Sequence, residues 1–180
     1  NVLFAFPGYD RNAVDFKILE PALAKKYKIV SFNLFYHGNS GLLDENSNTV
    51  FAYEDLKGLL DTYLSEKKTN SFSLIGYSLG GKIVLACIEI FPKQIRDVFL
   101  LAPDGIKINR WYLFASKTKI GQALYKQIMN DPRFFFQSIA FLNKIGLLSD
   151  RLVKFVRCNM ETREKRKKVL DVWMIFRNIV

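Results

Sequence analysis

A serine between two glycines, where an apolar strand pattern gives way to a helix pattern, constrains this chain most. Residues 74–85 read LIGYSLGGKIVL. This layout is typical of a nucleophile elbow, a tight strand-to-helix turn that lifts a serine hydroxyl clear of the sheet edge. Ser78 would then be held at a positive φ. Side chains two residues before and after it would collide, so Gly76 and Gly80 suit those positions.

Residues 1–104 alternate short apolar runs with amphipathic stretches. This alternation predicts a mostly parallel α/β sheet with helices on both faces. Ligands of such sheets bind beyond the carboxyl ends of the strands, and Ser78 follows one of those ends. Pro21 is expected to kink or shorten the first helix. The predicted strands are Val2–Phe6, Lys28–Leu34, Phe72–Gly76 and Asp97–Leu101, and the predicted helices are Ala13–Lys26, Phe51–Glu66 and Leu79–Phe91.

The strand pattern stops after Pro103-Asp104-Gly105, and only helix patterns follow. We therefore divide the chain into a core of residues 1–104 and an all-helical block of residues 105–180. The position of this block after a sheet strand predicts a cap, or lid, over the strand ends. Its predicted helices are Trp111–Ser116, Lys119–Met129, Phe134–Leu142, Asp150–Met160 and Thr162–Val180.

Charge is unevenly divided between the two parts. Residues 1–104 hold 11 Lys and Arg and 12 Asp and Glu, whereas residues 105–180 hold 16 and 5. The bland interpretation of the basic block is a solvated helical surface. The alternative is a surface that attracts an anionic partner, either phospholipid headgroups or a negatively charged substrate. Nucleic acid is not an expected partner, because the basic residues form no recognisable nucleic-acid motif.

Several function classes lose support from composition and motifs. No apolar run approaches the roughly 20 residues that cross a bilayer. No metal-ligand cluster, glycine-rich phosphate loop or cofactor fingerprint is visible, so neither a metal nor a cofactor is expected. Cys87 and Cys158 provide no disulfide framework, which favours a cytoplasmic setting. Cys87 is not expected to be a nucleophile, since it lies mid-helix with no cation beside it.

Three loops, in order along the chain, resemble those of the α/β-hydrolase fold superfamily, specifically its single-domain members with a helical cap. The sequence FPGY at residues 6–9 follows the first strand, where the family has its oxyanion loop. The sequence YHGNS at 36–40 is similar to the family's His-Gly-x-Ser loop, and GYSLG at 76–80 is the elbow. The resemblance covers about residues 1–104. Pro7 departs from it, because the family more often has histidine there.

The resemblance implies roles for individual residues. Ser78 would be the nucleophile, and the backbone N–H groups of Tyr9 and Leu79 would form the oxyanion hole. His37, the only histidine, resembles a loop-shaping residue and not the catalytic base. Asp104 has two interpretations, a turn residue or the catalytic acid, and the turn is favoured. The catalytic histidine, the usual acid and two further strands are expected beyond Val180, so the chain is expected to lack the C-terminal part of the fold.

The implied function is a serine hydrolase that cleaves an ester, thioester or amide of a small to medium apolar acyl group. Carboxylesterase or lipase-like activity is the first expectation, and acyl transfer or carbon–carbon bond hydrolysis on the same scaffold stays open. Two further classes also stay open. One is a catalytically inactive relative that binds a small molecule under the cap. The other is an interaction module whose basic cap docks onto membranes or acidic proteins.

Overall fold

A computed structural model describes residues 1–42, 49–106 and 110–179 of the chain. The described residues divide into two compact units. One consists of Asn1–Ile108 with Ile175–Val180, and the other of Asn109–Met174. The first unit contains the sheet, and the second is helical. The sequence pattern predicts one helical block over residues 105–180, whereas the residues after Met174 group with the sheet.

The sheet unit has four parallel strands in the order β2-β1-β3-β4. The central strands are buried along almost their whole length, which explains their continuous apolar sequences. The predicted parallel α/β fold is therefore confirmed. The strands are β1 (Val2–Phe6), β2 (Lys28–Ser31), β3 (Phe72–Tyr77) and β4 (Ile95–Leu101).

Helical elements cover both faces of this sheet. On one face Leu3, Ala5 and Ile75 form a core with Phe16 and Tyr27. Phe16 belongs to the short 3-10 helix Ala13–Leu19, which is followed by α1 (Glu20–Leu23). Each central strand contributes alternate side chains to the two faces, because successive side chains of a strand point in opposite directions.

The opposite face is packed with aromatic rings. The Phe4 ring lies 5.1 Å from that of Phe72 and 5.2 Å from that of Tyr63, measured between centroids. Tyr63 belongs to α2 (Tyr53–Glu66), and α3 (Leu79–Ile90) packs against both β1 and β3. The two central strands are thus fixed between two helical layers, and their carboxyl ends are held in register.

Three predicted elements differ from the structure by more than two residues at one end or by being divided. β2 ends at Ser31 and not at Leu34. Two residues later, the Asn33 side chain accepts a hydrogen bond from the Ala13 N–H at 2.8 Å. The helix predicted over 13–26 is split into a 3-10 helix and α1, with Pro21 in the first turn of α1. Proline fits there because the first turn needs no intrahelical N–H donor. The last predicted helix ends at Ile175 and not at Val180.

The helical unit contains α4 (Arg110–Lys117), α5 (Lys119–Asn130), α6 (Arg133–Lys144), α7 (Asp150–Met160) and α8 (Arg163–Ile175). Trp173 packs its ring against Tyr112 and Tyr125, with centroids 5.6 and 5.7 Å apart. Val169 and Val172 of α8 are buried. In the described part of the chain, no helix combines the length and the apolar character that a membrane span requires.

Candidate active site

Strained backbone collects at one edge of the sheet. Each of the four strands is followed, within a few residues, by a non-glycine residue at positive φ: Asp10 (57°), Tyr36 (65°), Ser78 (48°) and Ala102 (43°). Such conformations are unfavourable by about 1–3 kcal/mol each and persist only where the surroundings enforce them. Since these residues lie at the carboxyl ends of parallel strands, they mark the edge where open α/β sheets bind ligands.

Ser78 forms the turn between β3 and α3. Its φ is 48° and its ψ is −115°, and the residue is half-buried. A Cβ atom added at Gly76 would lie 2.5 Å from the Gly80 carbonyl oxygen, and one added at Gly80 would overlap the Phe6 carbonyl oxygen. Both glycines are therefore sterically required, as the spacing around the serine predicts. The Ser78 hydroxyl lies at the sheet edge and not within the core.

The backbone of Ser78 is held by the neighbouring strand and by the segment that follows it. The Ser78 N–H donates to the Leu101 carbonyl at 3.0 Å, which joins the turn to the end of β4. The Ser78 carbonyl accepts from the N–H groups of Gly81 and Asp104, at 2.8 and 2.9 Å. These bonds hold the residue in its left-handed conformation.

Asp104 is the only side chain to which the described structure gives a hydrogen bond with the Ser78 hydroxyl. The hydroxyl donates to Oδ2 of Asp104 at 3.4 Å, a long contact at the limit of hydrogen bonding. Loss of hydration raises the pKa of the Asp104 carboxyl, and the Ser78 hydrogen bond and the charge of Lys82 oppose that rise. A triad acid orients the histidine base, whereas Asp104 contacts the serine itself. This contact is compatible with a turn residue that also faces the nucleophile.

The loop predicted to supply one oxyanion donor lies against the elbow. A Cβ atom added at Gly8 would lie 3.2 Å from Cβ of Ser78 and 2.8 Å from the Tyr77 ring. Tyr9 follows directly and is half-buried. Leu79 is the first residue of α3, so its N–H has no intrahelical acceptor and lies at the positive end of the helix dipole. The two predicted donors are thus on segments that meet at Ser78.

His37 lies inside its own loop. The side chain is 1% exposed, and its Nδ1–H donates to the Phe35 carbonyl at 2.8 Å. The Tyr9 ring meets the imidazole edge to face, with centroids 5.6 Å apart. Burial, and to a lesser extent the charge of Asp10, raises the pKa of the Tyr9 hydroxyl. These contacts suit a loop-shaping histidine, which is the role that the resemblance implies.

Two other reactive side chains lie in α3. Burial raises the pKa of the Cys87 thiol to about 12, so it stays protonated, as suits a residue that is not a nucleophile. Lys82 was not identified from the sequence, although a charged residue within the apolar run after the elbow is a visible signal. It is 6% exposed and its Nζ donates to the Phe176 carbonyl at 3.1 Å. Over residues 1–42, 49–106 and 110–179, no three His, Cys, Asp or Glu side chains are grouped to hold a metal.

Comparison with known proteins agrees with this architecture. The family model for the alpha/beta hydrolase fold matches residues 2–173. The chain is 24% identical over 138 residues to "Putative esterase/lipase 2" of Mycoplasma genitalium, covering 76% of this chain and 49% of that protein. It is 30% identical over 99 residues to "Uncharacterized hydrolase YugF" of Bacillus subtilis, covering 54% of this chain and 35% of that protein. The chain thus spans half or less of the length of these two relatives.

A solved structure shows the same fold at low sequence similarity. The crystal structure of a "probable hydrolytic enzyme" from Pseudomonas aeruginosa superposes with a TM-score of 0.61 at 15% identity, over 100% of this chain and 59% of that one. An identity this low indicates shared architecture, while the family match spans both the elbow and most of the helical unit. The chain therefore belongs to the alpha/beta hydrolase fold family.

Proposed function

We propose that this chain carries the nucleophile of a serine hydrolase that cleaves an ester, thioester or amide of a small to medium apolar acyl group. The observation that carries the proposal is Ser78, held at φ 48° between β3 and α3 with its side chain at the sheet edge. A binding site alone gives no reason to keep a serine in a strained conformation. A nucleophile does, because the turn presents the hydroxyl to a substrate carbonyl.

In the proposed reaction, Oγ of Ser78 attacks the carbonyl carbon while a general base takes the hydroxyl proton. The carbonyl π electrons move to oxygen, and the N–H groups of Leu79 and Tyr9 stabilise this oxyanion. Collapse of the tetrahedral species breaks the bond to the leaving group, which takes the proton. Water then attacks the acyl-enzyme in the same way and releases the carboxylic acid with free Ser78.

The preference for an apolar acyl group is supported by the surface beside Ser78. Tyr77 and Leu101 are paired at the carboxyl ends of β3 and β4 and are 40% and 44% exposed. Large apolar side chains at this edge favour burial against a hydrocarbon chain, worth about 25 cal/mol per Å² of apolar surface removed from water. A carboxylesterase or lipase-like reaction fits this surface. The relatives named esterase/lipase and hydrolase support the same class.

A fluorophosphonate probe on the full-length protein tests the proposal directly. We expect covalent labelling of the wild type and its loss in Ser78→Ala. Ser65→Ala is the matched control, since Ser65 is exposed on α2 and its removal should leave labelling unchanged. Hydrolysis of p-nitrophenyl esters of increasing acyl length then measures the acyl preference.

The second candidate function is a catalytically inactive relative that binds a small molecule. A correctly folded full-length protein that does not react with the probe would favour this candidate. Labelling that persists in Ser78→Ala would instead show that another residue is the nucleophile. Acyl transfer is tested by adding alcohol or amine acceptors and measuring the new ester or amide.

A further inference from the structure

Lys82 is a buried lysine one helical turn after Ser78. Its side chain is 6% exposed, and the residues on both sides of it in sequence, Gly81 and Ile83, are buried too. Burying an ammonium group is unfavourable by several kcal/mol unless hydrogen bonds or opposite charges compensate. The partners of Lys82 therefore indicate what the residue does.

The first partner is the backbone just after α8. Nζ of Lys82 donates to the carbonyl of Phe176 at 3.1 Å. The preceding carbonyl, that of Ile175, accepts from the N–H of Phe51 at 2.8 Å, and the Phe176 and Phe51 rings lie 5.9 Å apart. All of these residues belong to the sheet unit. Lys82 thus joins α3 to the last described stretch of that unit.

The second partner is the segment 103–105, which crosses the first turn of α3. A Cβ atom added at Gly105 would lie 3.5 Å from Cγ of Lys82, so the lysine stem lies beneath this segment. The Asp104 N–H donates to the Ser78 carbonyl at 2.9 Å, and the Asp104 carboxylate accepts from the Ser78 hydroxyl. That hydroxyl and the charge of Lys82 both lower the pKa of the Asp104 carboxyl, against the rise that loss of hydration causes.

We propose that Lys82 is a positioning residue for Ser78, anchoring the Phe176 backbone and the Asp104 segment to the start of α3 and so fixing the carboxylate beside the nucleophile. The inference rests on the proposed function, because positioning matters only if Ser78 reacts. Lys82 acts here through Asp104 and the backbone, not through contact with substrate. A long apolar stem with a charged tip suits this task, since the stem packs while the ammonium reaches its acceptor.

Titration of Asp104 tests the charge component without any assay of activity. The carboxyl ¹³C signal is followed by NMR in the full-length protein, and its assignment comes from its loss in Asp104→Asn. Lys82→Met should raise the pKa of Asp104, because the cation that favours the ionised form is gone. Lys82→Arg keeps the charge and should stay closer to the wild type. An unchanged Asp104 pKa in Lys82→Met would contradict this component.

The rate of fluorophosphonate labelling tests the positioning itself. We expect Lys82→Met to label about tenfold more slowly, since small displacements around a nucleophile have effects of this size or larger. Lys82→Gln keeps a hydrogen-bond donor without the charge, so its labelling rate should lie between those of the wild type and Lys82→Met. Lys93→Met, at an exposed lysine after α3, is the matched control. In an Asp104→Asn background the effect of Lys82→Met should shrink.

The outcomes separate this inference from the proposed function. A wild type that does not label overturns the function, while the Asp104 titration still reports on Lys82. A wild type that labels, together with a folded Lys82→Met variant that labels equally fast, overturns the positioning role. Circular dichroism and thermal melting establish folding. If Lys82→Met does not fold, Lys82→Gln takes its place in both measurements, and a wild-type labelling rate there overturns the role in the same way.

Discussion

Ser78 and Ala102 both have an unfavourable positive φ, which neighbouring residues must stabilise. Ser78 has two backbone hydrogen bonds through its carbonyl and one through its N–H, the last to the residue just before Ala102. This bond links the turn at Ser78 to the end of β4, directly before Ala102. The glycines around Ser78 reveal one of these positions in the sequence. Ala102 gives no such signal, because alanine is compatible with almost any local pattern.

Two glycine-to-alanine substitutions distinguish a glycine that neighbouring atoms require from one that an alanine can replace. Gly80→Ala should lower the free energy of unfolding by about 3 kcal/mol or more, because its Cβ overlaps the Phe6 carbonyl oxygen, which is backbone and cannot rotate away. Gly58→Ala should raise it by about 0.5–1 kcal/mol, since Gly58 is exposed within α2 and an added Cβ meets nothing. Urea unfolding measures both. Similar effects of the two substitutions would contradict the close approach at Gly80.

Among the elements, α8 departs most from its sequence pattern. Its first turns carry Arg163, Lys165, Arg166, Lys167 and Lys168, a run typical of a solvated face. Arg166 is nevertheless 5% exposed. Its guanidinium donates to the carbonyls of Met129, Met160 and Glu161 at 2.8–3.1 Å. These carbonyls lie at the C-terminal ends of α5 and α7, where the helix dipoles favour a cation.

Arg166→Met should therefore destabilise the helical unit strongly. Three carbonyls would lose their donor inside the protein, and we expect the free energy of unfolding to fall by roughly 3 kcal/mol. Arg163→Met, at an exposed position on the same helix, should change it by less than about 0.5 kcal/mol. Urea unfolding followed by tryptophan fluorescence reports on the unit, because Trp173 lies in it. Equal stability of the two variants would show that the hydrogen bonds of Arg166 to the ends of α5 and α7 do not stabilise the helical unit.

At the scale of the whole molecule, positive charge is concentrated in the C-terminal part of the chain. Residues 105–180 hold 16 Lys and Arg against 5 Asp and Glu. Large apolar side chains are exposed in the helical unit, including Phe134 (80%), Phe141 (61%) and Phe155 (60%). An excess of cations together with exposed aromatic side chains is the combination that favours binding to anionic lipid surfaces.

We expect the full-length protein to sediment with vesicles that contain phosphatidylserine at about 50 mM salt, and much less at about 500 mM, because salt screens the attraction. Vesicles of phosphatidylcholine alone are the control and should retain little protein. Phe134→Ser with Phe141→Ser should weaken the binding that remains at high salt. Sedimentation with neither lipid would favour the interpretation of a solvated helical surface. Equal sedimentation with both lipids would show that the positive charge does not drive the binding.

Local sequence patterns are sufficient to predict the architecture of the sheet unit. Continuous apolar runs, the spacing of glycines around Ser78 and the helix that follows all depend on neighbouring residues, so they are visible without tertiary structure. The parallel sheet and the tight turn at Ser78 follow from them. The role of Ser78 in catalysis stays a prediction, as do those of Tyr9 and Leu79 in the oxyanion hole.

Only the tertiary structure decided which polar side chains are buried and which segments meet. Lys82 binds a carbonyl 94 residues away, and Arg166 binds one 37 residues away. The hydroxyl of Ser78 meets the carboxylate of Asp104 across 26 residues. No local periodicity encodes such contacts, since they arise when separate elements pack together. Arg166 therefore looks like part of a solvated face in the sequence but is buried and links separate helices in the fold.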